Sequence, residues 1–140
     1  MACLGSVHYD PAVAVTKATS SLLAMTALDT PNLRVAFTIP ANGRVLVRLQ
    51  GVIHGATTFP QVLLGVLEGS TVRMRKAPMA GLAGTALATT FLNIEAISTL
   101  SGLTPGAVNW DAAYGVETLV AATGIKYGGT NDATANNAFG

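Results

Sequence analysis

Few side chains of this sequence have the type and spacing that catalysis requires. Cys3 could act as a nucleophile with His8 or His54 as its base, because a reactive cysteine needs a nearby proton acceptor. Cys3 lies in a terminus without a hydrophobic pattern, and His54 stands beside a glycine at the end of a predicted strand. We therefore expect no thiol catalysis, and we interpret His54 as an ordinary loop-edge histidine.

A pair of carboxylates also suggests chemistry, since glycosidases hold two carboxyl groups on opposite sides of the scissile bond. Asp111 and Glu117 flank Tyr114 and share one face of a predicted strand. An extended strand would separate the two carboxylates by about 20 Å, whereas glycosidases use ~5 to 10 Å. We interpret both carboxylates as solvated charges of a strand.

Five residues are candidate contact residues. Trp110 and Tyr114 share a strand face and could stack on a sugar ring, although the alternation around them is more typical of core anchors. Arg73, Arg75 and Lys76 form the only basic cluster of the sequence. No aromatic residues interleave with these cations, so a solvated face or a salt-bridging subunit contact is favoured over phosphate recognition.

The familiar cofactor and metal motifs are absent from the sequence. Gly81 and Gly84 in AGLAGTAL form neither a phosphate-binding loop nor a dinucleotide-binding turn. There is no G-x-S-x-G elbow, and two histidines with one cysteine cannot close an ordinary zinc site. The sequence therefore predicts no enzyme, no cofactor and no metal.

The composition points to one all-β domain. The chain has 140 residues, enough for a single core, and 50% of them are hydrophobic while only 11% are charged. The polar positions are mostly Thr, Ser and Asn, which suit strands and turns. A formal net charge of +1 creates no field that would attract nucleic acid or an anionic membrane, so neither is an expected partner. So little charge also predicts that neighbouring chains cover part of the surface.

The cysteine content and the start of the chain bear on its compartment. A single cysteine allows no internal disulfide, which suits a protein made in reducing cytosol. Residues 1–6 lack the pattern of a secretory signal, and no apolar run reaches the 18 residues of a membrane span. We expect neither export by the usual route nor membrane insertion.

Alternation of apolar and polar residues predicts most of the strands. Pro40 to Gly43 have the chemistry of a tight turn, which predicts a hairpin between the strands on either side. A second hairpin is predicted about the turn at residues 68–70, with Val72 and Met74 on one face of its second arm. The predicted strands span residues 33–39, 44–53, 61–67, 71–76, 89–100, 108–116, 119–122 and 125–127.

Short strands at about ten-residue spacing, joined by Gly and Pro turns, predict an antiparallel β-sandwich or jelly roll. Residues 1–30 are expected to be an N-terminal arm or a leading strand, and residues 31–127 the β-sandwich domain. Residues 128–140 are rich in Gly and Asn and are predicted to be a flexible C-terminal segment.

Three stretches together resemble the jelly-roll domains of tailed-bacteriophage virion proteins, of the decoration, head-fibre or tail-fibre type. These domains are similar in topology to the head domains of the tumour-necrosis-factor and complement superfamily. The stretches are LDTPNLRVAFTIPANGRVLVRLQGVIHG (28–55), LSGLTPGAVNWDAAYGVE (100–117) and ATGIKYGGTNDATANNAFG (122–140). Counting from Leu28, the resemblance covers roughly three quarters of the chain, and it lies in the order of strands and turns.

The resemblance implies a non-enzymatic viral structural protein that is made in the host cytoplasm and assembled into the virion. Its expected partners are copies of itself, as in a trimer, and other virion proteins. A host-surface glycan-binding module is the alternative, with Trp110 or the loops at residues 55–60 and 81–85 in contact with sugar. Such domains commonly add a final aromatic and aliphatic strand after the polar segment, and its absence here would leave a sheet edge open to another subunit.

Overall fold

The computed structural model describes residues 2–9, 11, 15–17, 24–54, 62–77, 91–116 and 125–127. Every regular element within these residues is a β-strand, so the predicted all-β class is confirmed. The strands are β1 (Val15–Lys17), β2 (Thr26–Ala27), β3 (Arg34–Ile39), β4 (Val45–His54), β5 (Val62–Glu68), β6 (Thr71–Lys76), β7 (Phe91–Leu100), β8 (Gly106–Val116) and β9 (Ile125–Tyr127). The predicted strand at residues 119–122 and the predicted C-terminal segment lie outside the described residues.

The strands form two antiparallel sheets. Sheet I has the order β1–β9–β4–β7. In sheet II, β2 and β3 both pair with β8, and β5 and β6 follow on its other side. The short strands β1 and β2 fall within residues 1–30, and each belongs to a different sheet.

The strand pairs are nested along the chain. β5 pairs with β6, and this hairpin lies in sequence between β4 and β7, which pair with each other. β3 pairs with β8 outside that pair, and β1 pairs with β9 outside all of them. Successive pairs alternate between the two sheets: β5–β6 and β3–β8 lie in sheet II, whereas β4–β7 and β1–β9 lie in sheet I.

Alternation along each strand places the apolar side chains of both sheets in one shared core. On β7, Ile94 and Ala96 are buried, while the alternating residues Asn93 and Glu95 are exposed. Burial of aliphatic and aromatic side chains is the main favourable term of folding and holds the two layers together. The buried residues of this core are Ile39, Val45, Ile53, Val62, Leu64, Val66, Met74, Ile94, Ala96, Trp110, Tyr114 and Val116.

The predicted hairpin about residues 40–43 is wrong. β3 pairs with β8 and β4 pairs with β7, so the turn carries the chain from sheet II to sheet I. Gly43 N donates a hydrogen bond to Pro40 O at 2.9 Å, and Gly43 O accepts one from Leu103 N at 3.1 Å. The turn is therefore real, but it stacks on the β7–β8 connection instead of joining two neighbouring strands.

The hairpin formed by β5 and β6 is confirmed, with a bulge that the sequence did not predict. The register shifts between Val66 and Leu67, so Met74 lies opposite Val66 whereas Val72 lies opposite Leu67. Met74 packs in the shared core, while Val72 packs with Leu67 in a second cluster. The predicted placement of Val72 and Met74 on one face is wrong, because the extra residue, Arg73, inverts the alternation.

The second cluster covers the outer face of sheet II. Met25, Leu67 and Ala113 are buried there, with Leu63 and Val72 packed against them. Gly65 lies beneath Met25: a Cβ placed on this glycine would be 2.9 Å from Met25 Cε and 2.0 Å from the backbone oxygen of Met74. Only a glycine allows the segment that precedes β3 to pack this closely on β5.

Candidate functional site

The two aromatic candidates lie inside the protein. Trp110 is 4% exposed and Tyr114 is 5% exposed, and both belong to the shared core. The ring of Trp110 meets that of Phe37 edge to face, with centroids 4.9 Å apart. Desolvation by burial raises the pKa of the Tyr114 hydroxyl. This placement agrees with the core-anchor interpretation, and neither ring offers a free face for stacking on a sugar.

The indole nitrogen of Trp110 belongs to a polar cluster with Glu68 and Arg73 at one end of the core. Its Nε1 donates to Glu68 Oε2 at 3.2 Å, and Arg73 Nε donates to the same oxygen at 2.7 Å. A small open cavity of about 280 Å³ adjoins Glu68 and Arg73 and is also lined by the loop at residues 102–106. Sequence reasoning missed this group, because the bulge in β6 is what turns Arg73 towards Glu68.

The interpretation of Asp111 as a solvated charge is wrong. Asp111 is 5% exposed and lies directly across the sheet from Arg34. Arg34 Nε and Nη2 each donate to one carboxylate oxygen of Asp111 at 2.8 Å. The hydrogen bonds to Asp111 raise the pKa of the Arg34 guanidinium. The two hydrogen bonds make Arg34 and Asp111 a structural ion pair. Glu117, the second carboxylate of the hypothetical catalytic pair with Asp111, lies outside the described residues.

The remaining candidates are on the surface. Arg75 and Lys76 are exposed on β6. Arg73, on the same strand, forms an ion pair with Glu68. Cys3 and His8 are exposed in the N-terminal segment, while only the backbone of His54 is described. Among the described residues, no three His, Cys, Asp or Glu side chains lie close enough together to hold a metal ion.

An apolar groove lies between the edges of β3 and β4. It encloses about 830 Å³, and most of its lining is apolar, including Val35 and Phe37 from β3 and Val47 and Leu49 from β4. Ligand-binding pockets in proteins commonly have a volume in this range and a mostly apolar lining. We call the groove, together with the adjacent edge of β4, the open flank.

Among the described residues, the edge of β4 along the open flank is largely unpaired. On that side β9 pairs with β4 only at Ile53 and His54. Within the described part of the chain, no strand pairs with the same edge at residues 45–52. Eight residues of strand measure about 27 Å, and their outward N–H and C=O groups form a template on which another strand can pair.

Two of the three charged residues in the described lining of the groove form ion pairs. Arg48 forms a salt bridge with Glu95, and Asp111 is held by Arg34. Arg44 is the remaining charged residue among those that line the groove. The open flank is therefore mainly apolar, which suits the binding of an apolar strand.

The N-terminal segment crosses the groove on its β3 side. A Cβ placed on Gly5 would lie 2.6 Å from Val35 Cγ1 and 3.5 Å from Phe37 Cβ, so the backbone of the segment touches β3. Leu4 and Val7 nevertheless remain 41% exposed. The segment therefore leaves apolar surface uncovered at the groove, as expected of a surface that lies against another chain.

Comparisons with known proteins give no indication of function, so any inference of function rests on the fold and on this site. The described part of the chain contains no helix with the length and hydropathy of a membrane span. The chain matches no family model, no curated protein and no solved structure.

Proposed function

We propose that the two sheets form a jelly roll and that the chain is a structural subunit of a virion. A jelly roll contains eight strands arranged as two Greek keys. The nested pairs β5–β6, β4–β7, β3–β8 and β1–β9, distributed over two four-strand paths, support this topology. In this assignment β2 is an extra short strand that pairs with β8 beyond the end of β3.

The open flank carries the functional proposal. A strand edge and an apolar groove on the same side of the fold are a liability for an isolated protein, because they invite pairing with other chains. A subunit of a larger assembly uses such a surface as a contact. The subunit has no catalytic role, and it decorates or extends a tailed-bacteriophage particle by binding copies of itself and other virion proteins.

The outer face of sheet I supports the same proposal. Leu46 is 45% exposed and Ile97 is 48% exposed, and both lie on this face beside the Arg48–Glu95 salt bridge. The sequence provides few charges, so electrostatic repulsion does little to keep a protein with such a surface in solution. Contacts between subunits would cover these side chains in the virion. The chain itself would be made in the host cytoplasm, before these contacts form.

The test is to find the chain in particles. Virions are purified by density gradient from an infected culture that expresses the chain, and their proteins are quantified by mass spectrometry. We expect many copies per particle, in a fixed ratio to the major capsid protein. A chain that stays in the soluble fraction while complete virions lack it would overturn the proposal.

A host-surface glycan-binding role is the second candidate, and the cavity beside Glu68 and Arg73 is the observation that favours it. A carboxylate and a guanidinium are common hydrogen-bonding partners of sugar hydroxyl groups. A glycan array with the wild-type chain and Arg73→Ala, with Arg75→Ala as the matched control on the same strand, tests it. Binding lost only in Arg73→Ala supports this role, and an array without any signal removes it.

A further inference from the structure

We propose that the β4 edge pairs with the same edge of a second copy of this chain, so that sheet I continues across a two-fold axis. The inference rests on the proposed assembly function and names its partner and its surface. β7, at the far end of sheet I, also has an unpaired edge among the described residues. Only the β4 edge adjoins the apolar groove, which can receive the inward side chains of an added strand.

The chain's own C-terminal segment is a poor occupant of this edge. It follows β9 directly, and thirteen residues are enough to run along β4. Its sequence, GGTNDATANNAFG, is dominated by residues that are depleted in strands and offers little apolar surface to the groove. β4 itself has the alternation that the groove requires, with Val47 and Leu49 facing inward and Leu46 and Arg48 facing outward.

A two-fold axis through Arg48 defines a register that pairs residues 44–52 and ends where β9 begins on the same edge. Antiparallel pairing about this residue places Val47 of each copy opposite Leu49 of the other, with both side chains on the core side. It also places Val45 opposite Gly51, which has no heavy atom within 4 Å of an added Cβ. In this register, Ile53, where β9 occupies the edge, lies opposite Gly43, which precedes the strand.

Electrostatics permit this contact. The near-neutral chain generates little repulsion between copies. The only like charges that meet are the two Arg48 side chains at the axis, and each already forms a salt bridge with Glu95 of its own copy. Arg34 and Asp111 neutralise each other at the groove. The apolar side chains that line the groove match the apolar inward face of β4 in a second copy.

The experiment measures association of the full chain by sedimentation velocity from about 1 µM to about 1 mM. Val47→Lys directs a charge inward at the edge, and Leu46→Lys places one beside the axis on a side chain that is 45% exposed. Ile97→Lys is the matched control, because Ile97 is 48% exposed on the same outer face but belongs to β7. Circular dichroism verifies that each variant folds, and Leu46→Lys remains informative if Val47→Lys does not.

We expect wild type and Ile97→Lys to dimerise and Leu46→Lys to raise the dissociation constant about tenfold or more. Hydrogen exchange should show alternate amides of residues 45–51 becoming protected as the wild-type concentration rises. Association that Leu46→Lys and Val47→Lys leave unchanged would overturn this contact but not the assembly function. A chain that remains monomeric at every concentration would also overturn this contact, including the case in which the monomer already protects these amides by covering the edge itself. The assembly function would then be decided by the presence or absence of the chain in purified virions.

Discussion

Gly65→Ala is predicted to be strongly destabilising, although it adds a single methyl group. The added carbon would lie 2.0 Å from the backbone oxygen of Met74 and 2.9 Å from Met25 Cε. Ordinary van der Waals contacts begin at 3.4 Å, so β5 and β6 would have to separate by more than an ångström. The methionine side chain can move, but the carbonyl belongs to the strand that pairs with β5.

The magnitude follows from overpacking and from lost strand pairing. Forcing an extra carbon into a packed site costs about 1–3 kcal/mol, and each weakened backbone hydrogen bond costs about 1 kcal/mol more. We therefore expect Gly65→Ala to lose about 3 kcal/mol of unfolding free energy. For a chain of this length, an unfolding entropy of about 2.1 cal/mol/K per residue converts that loss into a decrease of about 10 °C in Tm.

The assay compares Gly65→Ala with Gly51→Ala by urea and thermal unfolding followed by circular dichroism. Gly51 also lies within a strand, yet a Cβ there would have no heavy atom within 4 Å. Because alanine restricts the unfolded chain more than glycine does, Gly51→Ala should gain about 0.5–1 kcal/mol. Equal stability of the two variants would refute the reasoning, and with it the close packing of Met25 on β5.

Three further predictions concern the core and the turns. Trp110→Ala should lose about 3–5 kcal/mol of unfolding free energy by urea titration, since the ring is buried against Phe37; an unchanged midpoint would place the indole at the surface. The raised pKa of Tyr114 means that the unfolded chain releases this proton first, so stability should fall as pH rises above about 10, and less steeply in Tyr114→Phe; identical slopes in urea midpoints between about pH 9 and 11 would contradict this. Gly43→Ala should lose about 2 kcal/mol or more, because φ is +60° and a Cβ would lie 2.5 Å from Leu103 O; a Tm within error of wild type would contradict the stacking of the two connections.

The sequence predicted the strands well because apolar and polar residues alternate along them, and this alternation indicates which side chains are buried. In β4 and β8 the apolar residues at every second position are those that the core buries. The same alternation indicated that Trp110 and Tyr114 face inward, which the structure bears out. A pattern of period two records which face of a strand is apolar, and it needs no knowledge of the neighbouring strands.

Strand partners could not be predicted in the same way. The turn at residues 40–43 suits a hairpin, yet β3 and β4 find longer-range partners in β8 and β7, which belong to different sheets. The pairing of Arg34 with Asp111 depends on that long-range register, so their charges looked unrelated in the sequence. The open flank was hidden for the same reason, because it lies between strand edges that are brought together only by the complete topology.

The described fold and its open flank lead to one central claim, that the chain is a structural part of a particle. Electron cryomicroscopy of virions from an infected culture that expresses the chain tests this claim most directly. The predicted result is repeated density on the particle that fits the two sheets of this fold, with the β4 edge covered by a neighbouring subunit. Complete virions without such density, with the chain found only as a free monomer, would contradict the claim.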